Sequence, residues 1–156
     1  MRRTDREVRE FQEILGIINQ CDTLRLGMVD QGEAYIVPVS FGYSGSGDMV
    51  TFYFHSAAEG RKVSLMARNS LVTFEMDTSH VFVEKEKGCA CTMNFASVMG
   101  KGRVEPLNNI EDRMAALKLL LSHYTDRQLP IEQAAAAGTN VYKLEVKREN
   151  LCCKRH

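Results

Sequence analysis

The segment His55-Ser56-Ala57-Ala58-Glu59-Gly60-Arg61-Lys62 gathers an imidazole, a hydroxyl, a glycine and two adjacent cations within eight residues. It follows directly on the apolar run "MVTFYF" (49–54), so an extended strand feeds into a cationic turn and then a helix. Cations at a helix start oppose the macrodipole by a few tenths to about 1 kcal/mol, whereas an anion placed there reverses the sign. Backbone N–H groups near Ser56 and Ala57, the Ser56 hydroxyl, the Arg61 fork and the Lys62 ammonium could all address one dianion. Gly60 removes the Cβ that would keep the backbone away. These residues read as a phosphate pocket. The plainer reading is a capping box formed by Ser56 and Glu59, with Arg61 and Lys62 on a solvated helix face.

Phe52, Tyr53 and Phe54 offer flat surface for an aromatic or heterocyclic ligand body, without separating a flavin from a nucleotide. His55 is the motif side chain able to exchange a proton near neutrality; its competing role is a hydrogen-bonded residue closing a strand. Other motifs carry less. "SGSGD" (44–48) is a turn between strands and does not complete a dinucleotide fingerprint. Cys21, Cys89, Cys91, Cys152 and Cys153 lack the paired spacing of a zinc site and read as free thiols.

The chain has 156 residues, with 20 cations balancing 20 acids. That balance argues against non-specific nucleic-acid binding and against a polybasic membrane anchor. The charged start "MRRTDREVREF" does not suit a secretory signal, and no apolar run approaches a membrane span. A single cytoplasmic domain over residues 1–156 is the expectation.

The elements that must position the motif follow from periodicity. Thr4-Asp-Arg-Glu7 suggests a capping box opening a helix with Val8, Phe11, Leu15 and Ile18 on one stripe, ending near Asn19. "LRLGMVD" alternates with Leu24, Leu26 and Met28 on one side; "AYIVPVSFGY" follows as one strand, with Pro38 at an edge or bulge. "MVTFYFH" is a third strand, then a helix from Ser56 to about Asn69. "LVTFEMD" and "CTMNFASVMGKGRVEPL" are two further strands. Asn109 caps a helix striped by Ile110, Met114, Leu117, Leu121 and Tyr124; "IEQAAAAG" is a short helix, and "VYKLEVK" a half-buried strand. About six strands and three or four helices, with hairpins first, predict an α+β fold built on a closed or half-closed antiparallel barrel.

Taken in order, "VPVSFGY", "FYFHSAAEGRK" and "NFASVMGKGRVE" resemble the FMN-binding split β-barrel superfamily, typified by pyridoxamine 5′-phosphate oxidase. Within it the chain is most similar to the nitroimidazole-resistance branch. The resemblance implies a six-stranded antiparallel split β-barrel with flanking helices, forming a homodimer with flavin between the subunits. It implies FMN as cofactor and a small-molecule substrate, with Arg61 and Lys62 on the phosphate. His55 and Ser56 match a Tyr-Thr pair, Ser56 keeping the hydroxyl, and Ala57 follows in the turn. Gly60 replaces a serine. Val39 and Ser40 match the strand whose backbone lies along the flavin ring; Ser97 and Val98 match a Gln-Val pair. The family's oxidases recognise their substrate through an arginine-rich C-terminal segment that "NLCCKRH" does not resemble, so a different oxidoreductase, acting on small electron-poor compounds, nitroaromatics among them, is implied. A flavin store, carrier or sensor, or a barrel holding haem or a deazaflavin, is the alternative.

Overall fold

The computed structural model describes residues 4–156. Eight strands are present rather than six: β1 (Leu24–Asp30), β2 (Glu33–Val39), β3 (Gly42–Ser46), β4 (Met49–Ser56), β5 (Leu71–Val83), β6 (Thr92–Pro106), β7 (Asn140–Lys147) and β8 (Leu151–Arg155). Four α-helices accompany them: α1 (Phe11–Gln20), α2 (Arg61–Arg68), α3 (Ile110–Tyr124) and α4 (Gln133–Ala137).

Two strands account for the difference. The run "AYIVPVSFGY" is broken at Ser40–Phe41, where the Phe41 N–H leaves the ladder and donates to the Tyr124 hydroxyl at 2.9 Å. Gly42 then resumes as β3 against α3, so close that a Cβ would lie 2.4 Å from the Leu120 nitrogen; only glycine fits. The tail that carries no obvious strand pattern forms β8, which pairs with β6 from Ala96 to Gly100.

All pairings are antiparallel, in the order β2-β1-β5-β6-β7-β4-β3, with β8 also on β6. The fifteen residues of β6 serve both halves: the first stretch meets β8, while Arg103–Pro106 meets β7. No ladder joins β2 to β3 among the described residues, so the barrel stays split. Pro38 faces Arg25 on edge strand β2, where its missing donor does least harm.

The core lies within the curve of the sheet and is closed by α1. Ile14, Ile17 and Ile18 are fully buried with Leu24, Leu26, Phe41, Phe52, Phe54, Met76 and Val98. Helix α1 starts at Phe11, not Thr4; Thr4–Arg6 is a 3₁₀ turn, and Glu10 precedes the helix without a side-chain cap. In α3 the buried residues are Ala116 and Leu120, whereas Leu117 and Leu121 are half-covered, because β3 presses on that side of the helix. Asn109 does cap α3, accepting the Glu111 N–H at 2.8 Å.

Candidate functional site: an uncapped helix start at the end of β4

Along β4, Val50, Phe52, Phe54 and Ser56 point into the core and Thr51, Tyr53 and His55 point away. Phe52 and Phe54 are therefore 0% exposed and packed on other aromatic rings, so they are core residues and not ligand surface. Ser56 ends the inward row as a buried serine whose hydroxyl makes no hydrogen bond among the described residues. Its ladder partner is Asn140, whose side-chain amide donates to the Ala57 carbonyl at 3.4 Å and the Ala58 carbonyl at 3.2 Å. The turn after β4 is thus held by β7.

That tether sets where the helix begins. A capping box at Ser56–Glu59 does not form: α2 starts at Arg61, behind Gly60, with no side-chain cap. Gly60 has φ 136°, which a side chain would rarely tolerate. The Ser64 N–H makes the first helical bond, to the Gly60 carbonyl at 3.0 Å, so the orphan donors are those of Arg61, Lys62 and Val63. The backbone cradle lies five residues beyond the position expected at Ser56–Ala57.

The two cations behave differently. Arg61 Nε donates to Asp30 Oδ2 at 2.8 Å, and its guanidinium carbon stands 4.5 Å from the centre of the Tyr35 ring. Its η nitrogens make no hydrogen bond among the described residues. Arg68, one helix end away, donates to Asp30 Oδ1 at 3.0 Å. Asp30 is 15% exposed and its carboxyl is held below the usual range, first by the Arg61 hydrogen bond. Lys62 is half-buried and forms no ion pair among the described residues; burial pushes its ammonium pKa down.

A half-buried, unpaired ammonium, two free guanidinium nitrogens and three orphan N–H groups share the first turn of α2, five residues after the buried Ser56. Each donates to or attracts an anion. The donor set fits a phosphate.

Other expected site residues are less gathered. Val39 is buried at the end of the otherwise exposed edge strand β2, and Ser40 is exposed at the break before β3. Ser97 and Val98 are both buried but point to opposite faces of β6; Val98 joins the core, while Ser97 stands opposite Asp77 and Lys154 on the outer face. The His55 side chain is exposed and makes no hydrogen bond among the described residues, contrary to the hydrogen-bonded strand-end role considered for it. It borders a cavity of about 420 Å³ walled by Leu117, Leu120, Leu121 and Ile131. A larger concavity, about 770 Å³, lies on the outer face around Ile36, Thr73, Met99 and Cys152, and takes in none of the motif residues. Large apolar side chains stand exposed around it: Ile36 at 65%, with Val29, Leu71 and Met99 nearby on the same strands.

Sequence reasoning missed Asp30, Tyr35 and Arg68. The signal for Asp30 was present: it continues the Leu24, Leu26, Met28 parity and so places an acid on the core-facing side at the strand end. His123 is half-buried, with Nε2 2.7 Å from the Cys21 carbonyl and the ring against Phe41. The cysteines are all free; Cys21 and Cys153 are buried, which pushes their thiols up to about 12 and about 11. Among the described residues no group of three or more His, Cys, Asp or Glu side chains is placed to hold a metal.

The architecture is that of an α+β antiparallel split barrel, with an anion-suited turn at its rim. Residues 10–151 match the profile of the pyridoxamine 5′-phosphate oxidase family. A solved candidate 5-nitroimidazole antibiotic resistance protein from Bacteroides thetaiotaomicron is 31% identical, with a TM-score of 0.81 over 96% of this chain and 86% of that one. The chain belongs to this family. Its fold is shared by the flavocytochrome Anf3 of Azotobacter vinelandii (19% identity, TM-score 0.80, 100% of this chain and 72% of that one). It is also shared by an FAD-binding protein of Mesorhizobium loti (21% identity, TM-score 0.62, 94% and 95%). No curated protein matches the chain.

Proposed function

We propose that the chain is a cytoplasmic, single-domain FMN-dependent oxidoreductase, working as a homodimer on small electron-poor compounds, nitroaromatics among them. The observation that carries this is the uncapped start of α2. Lys62 sits half-buried there with no ion pair among the described residues, next in sequence to Arg61, whose η nitrogens are free. Arg61, Lys62, Ser56 and the turn from Ala57 to Gly60 would hold the phosphate. Ser40 and Ser97, with the backbone of Val39 and Val98, would border the ring, as the family resemblance implies. Bound flavin would supply reversible two-electron chemistry; the protein's part is to bind, orient and exclude water.

The exposed apolar side chains around the outer concavity favour a second copy covering that face, since contiguous patches of this kind mark association surfaces. Such a partner would bring a second chain toward Ser97. His55, its side chain exposed and without a hydrogen bond among the described residues, is the motif residue free to hold or pass a proton to a substrate. The name of the Bacteroides relative favours a nitroimidazole as the first substrate to try.

The test starts with the purified protein: denature it and identify the released small molecule by mass. FMN is expected, and release of FAD or haem would overturn the cofactor assignment. Adding reduced nicotinamide should bleach the flavin absorbance, and a nitroaromatic acceptor should restore it. A flavin that binds but never bleaches would make the protein a carrier or sensor. Sedimentation should give a dimer, and a monomer retaining flavin would contradict the shared site.

A further inference from the structure

An aspartate within hydrogen-bond distance of a phosphate-binding arginine looks at first like a competitor. Its geometry says otherwise. Asp30 takes only the Nε–H of Arg61, the donor on the stem side, and leaves both η nitrogens unbonded. The Tyr35 ring lies 4.5 Å from the same guanidinium and limits its tilt. The second Asp30 oxygen is taken by Arg68 at 3.0 Å. The three side chains therefore sum to one positive charge, so the acid does not cancel what Arg61 offers. An unrestrained arginine on an exposed helix start would spread over many rotamers and lose that freedom on binding. Here the plane of the fork is fixed beforehand.

We propose that Asp30 is a positioning residue for the anion site: with Tyr35 it holds the Arg61 guanidinium by its Nε edge so that the two η nitrogens face a phosphate monoester, while Arg68 neutralises the acid. The proposal rests on the phosphate reading above and assigns to β1 a share in discriminating a flavin that carries a phosphate from one that lacks it. Lys62, without such a holder, contributes charge but little directionality.

The experiment compares FMN with riboflavin, using quenching of flavin fluorescence by the full-length protein, its variants and a fixed buffer. Wild type should bind FMN far more tightly than riboflavin. Asp30→Asn should lower the FMN affinity by about tenfold or more while leaving riboflavin unmoved, because a charge-assisted bond to the fork is lost. Simple charge counting gives the opposite sign: deleting an anion beside a phosphate site should tighten FMN. An unchanged or increased preference for FMN in Asp30→Asn therefore overturns the proposal. Should that variant not fold, Arg68→Gln on the exposed side serves instead; the preference should fall as unbalanced Asp30 offsets Arg61, and an unchanged preference there also overturns it. Tyr35→Phe should keep the preference and Tyr35→Leu should reduce it. Equal wild-type affinities for FMN and riboflavin would remove the phosphate site itself, and the positioning role with it.

Discussion

Helices α2 and α3 both begin where a strand hands over to a helix, yet their first turns are opposites. Helix α3 is capped by the Asn109 side chain and opens with Glu111 and Asp112, so its orphan donors and dipole are satisfied from within. Helix α2 has glycine at the cap, no side-chain cap and two cations in its first turn. The first is complete as it stands. The second is unfavourable in isolation and becomes favourable when an external anion arrives, which is how a fold reserves a helix end for a ligand.

The sharpest way to break this contrast is Arg61→Ala together with Lys62→Ala. Flavin binding should weaken by several kcal/mol, since bonds to charged groups contribute about 1.5–3 kcal/mol each. Flavin content after purification checks it; unchanged content would make α2 no more special than α3. At α3, Asn109→Ala should cost about 1 kcal/mol of stability in urea unfolding and leave flavin affinity alone. Smaller still, Lys62→Met should stabilise the flavin-free protein by a few tenths to about 1 kcal/mol, because it removes a partly desolvated charge that opposes the dipole, while weakening FMN.

The least effect comes from pH. Burial lowers the Lys62 pKa in the folded chain, so between that value and the ordinary lysine value the unfolded chain holds more protons. In that alkaline window the lysine's contribution to stability rises with pH, while FMN affinity falls as the ammonium is lost. A titration of FMN binding should show this decline in wild type and not in Lys62→Met; the same slope in both would place the titrating group elsewhere.

Much of the frame was legible because it is local. The alternation of β4 and β7 and the Asn109 cap need only neighbouring residues to be read, and they stand where periodicity puts them. What could not be read depends on distant partners. The break at Ser40–Phe41 requires Tyr124, eighty-three residues on. Ser56 and Glu59 have capping-box spacing, but the Asn140 side chain claims the intervening turn and moves the helix start to Arg61. Asp30 meets Arg61 and Arg68 only through the docking of α2 on β1. The motif residues and the place of Asp30 on β1 were visible; the contact between them was not.

Strand β8 also fastens the beginning of the fold to its end. The Val8 N–H donates to the Cys153 carbonyl at 3.0 Å, Glu7 bridges to Lys154, and Arg155 pairs with Glu13 at 2.6 Å. Arg148 reaches the Arg9 carbonyl as well. A growing chain cannot make these joins until Arg155 clears the ribosome, so they form only after every strand between them has been made. Closing so long a loop is a late and slow event. The same seam makes residues 7–13 and 148–155 natural neighbours for a circular permutant, in which old ends are fused and a new start is cut at the Gln31-Gly32 turn.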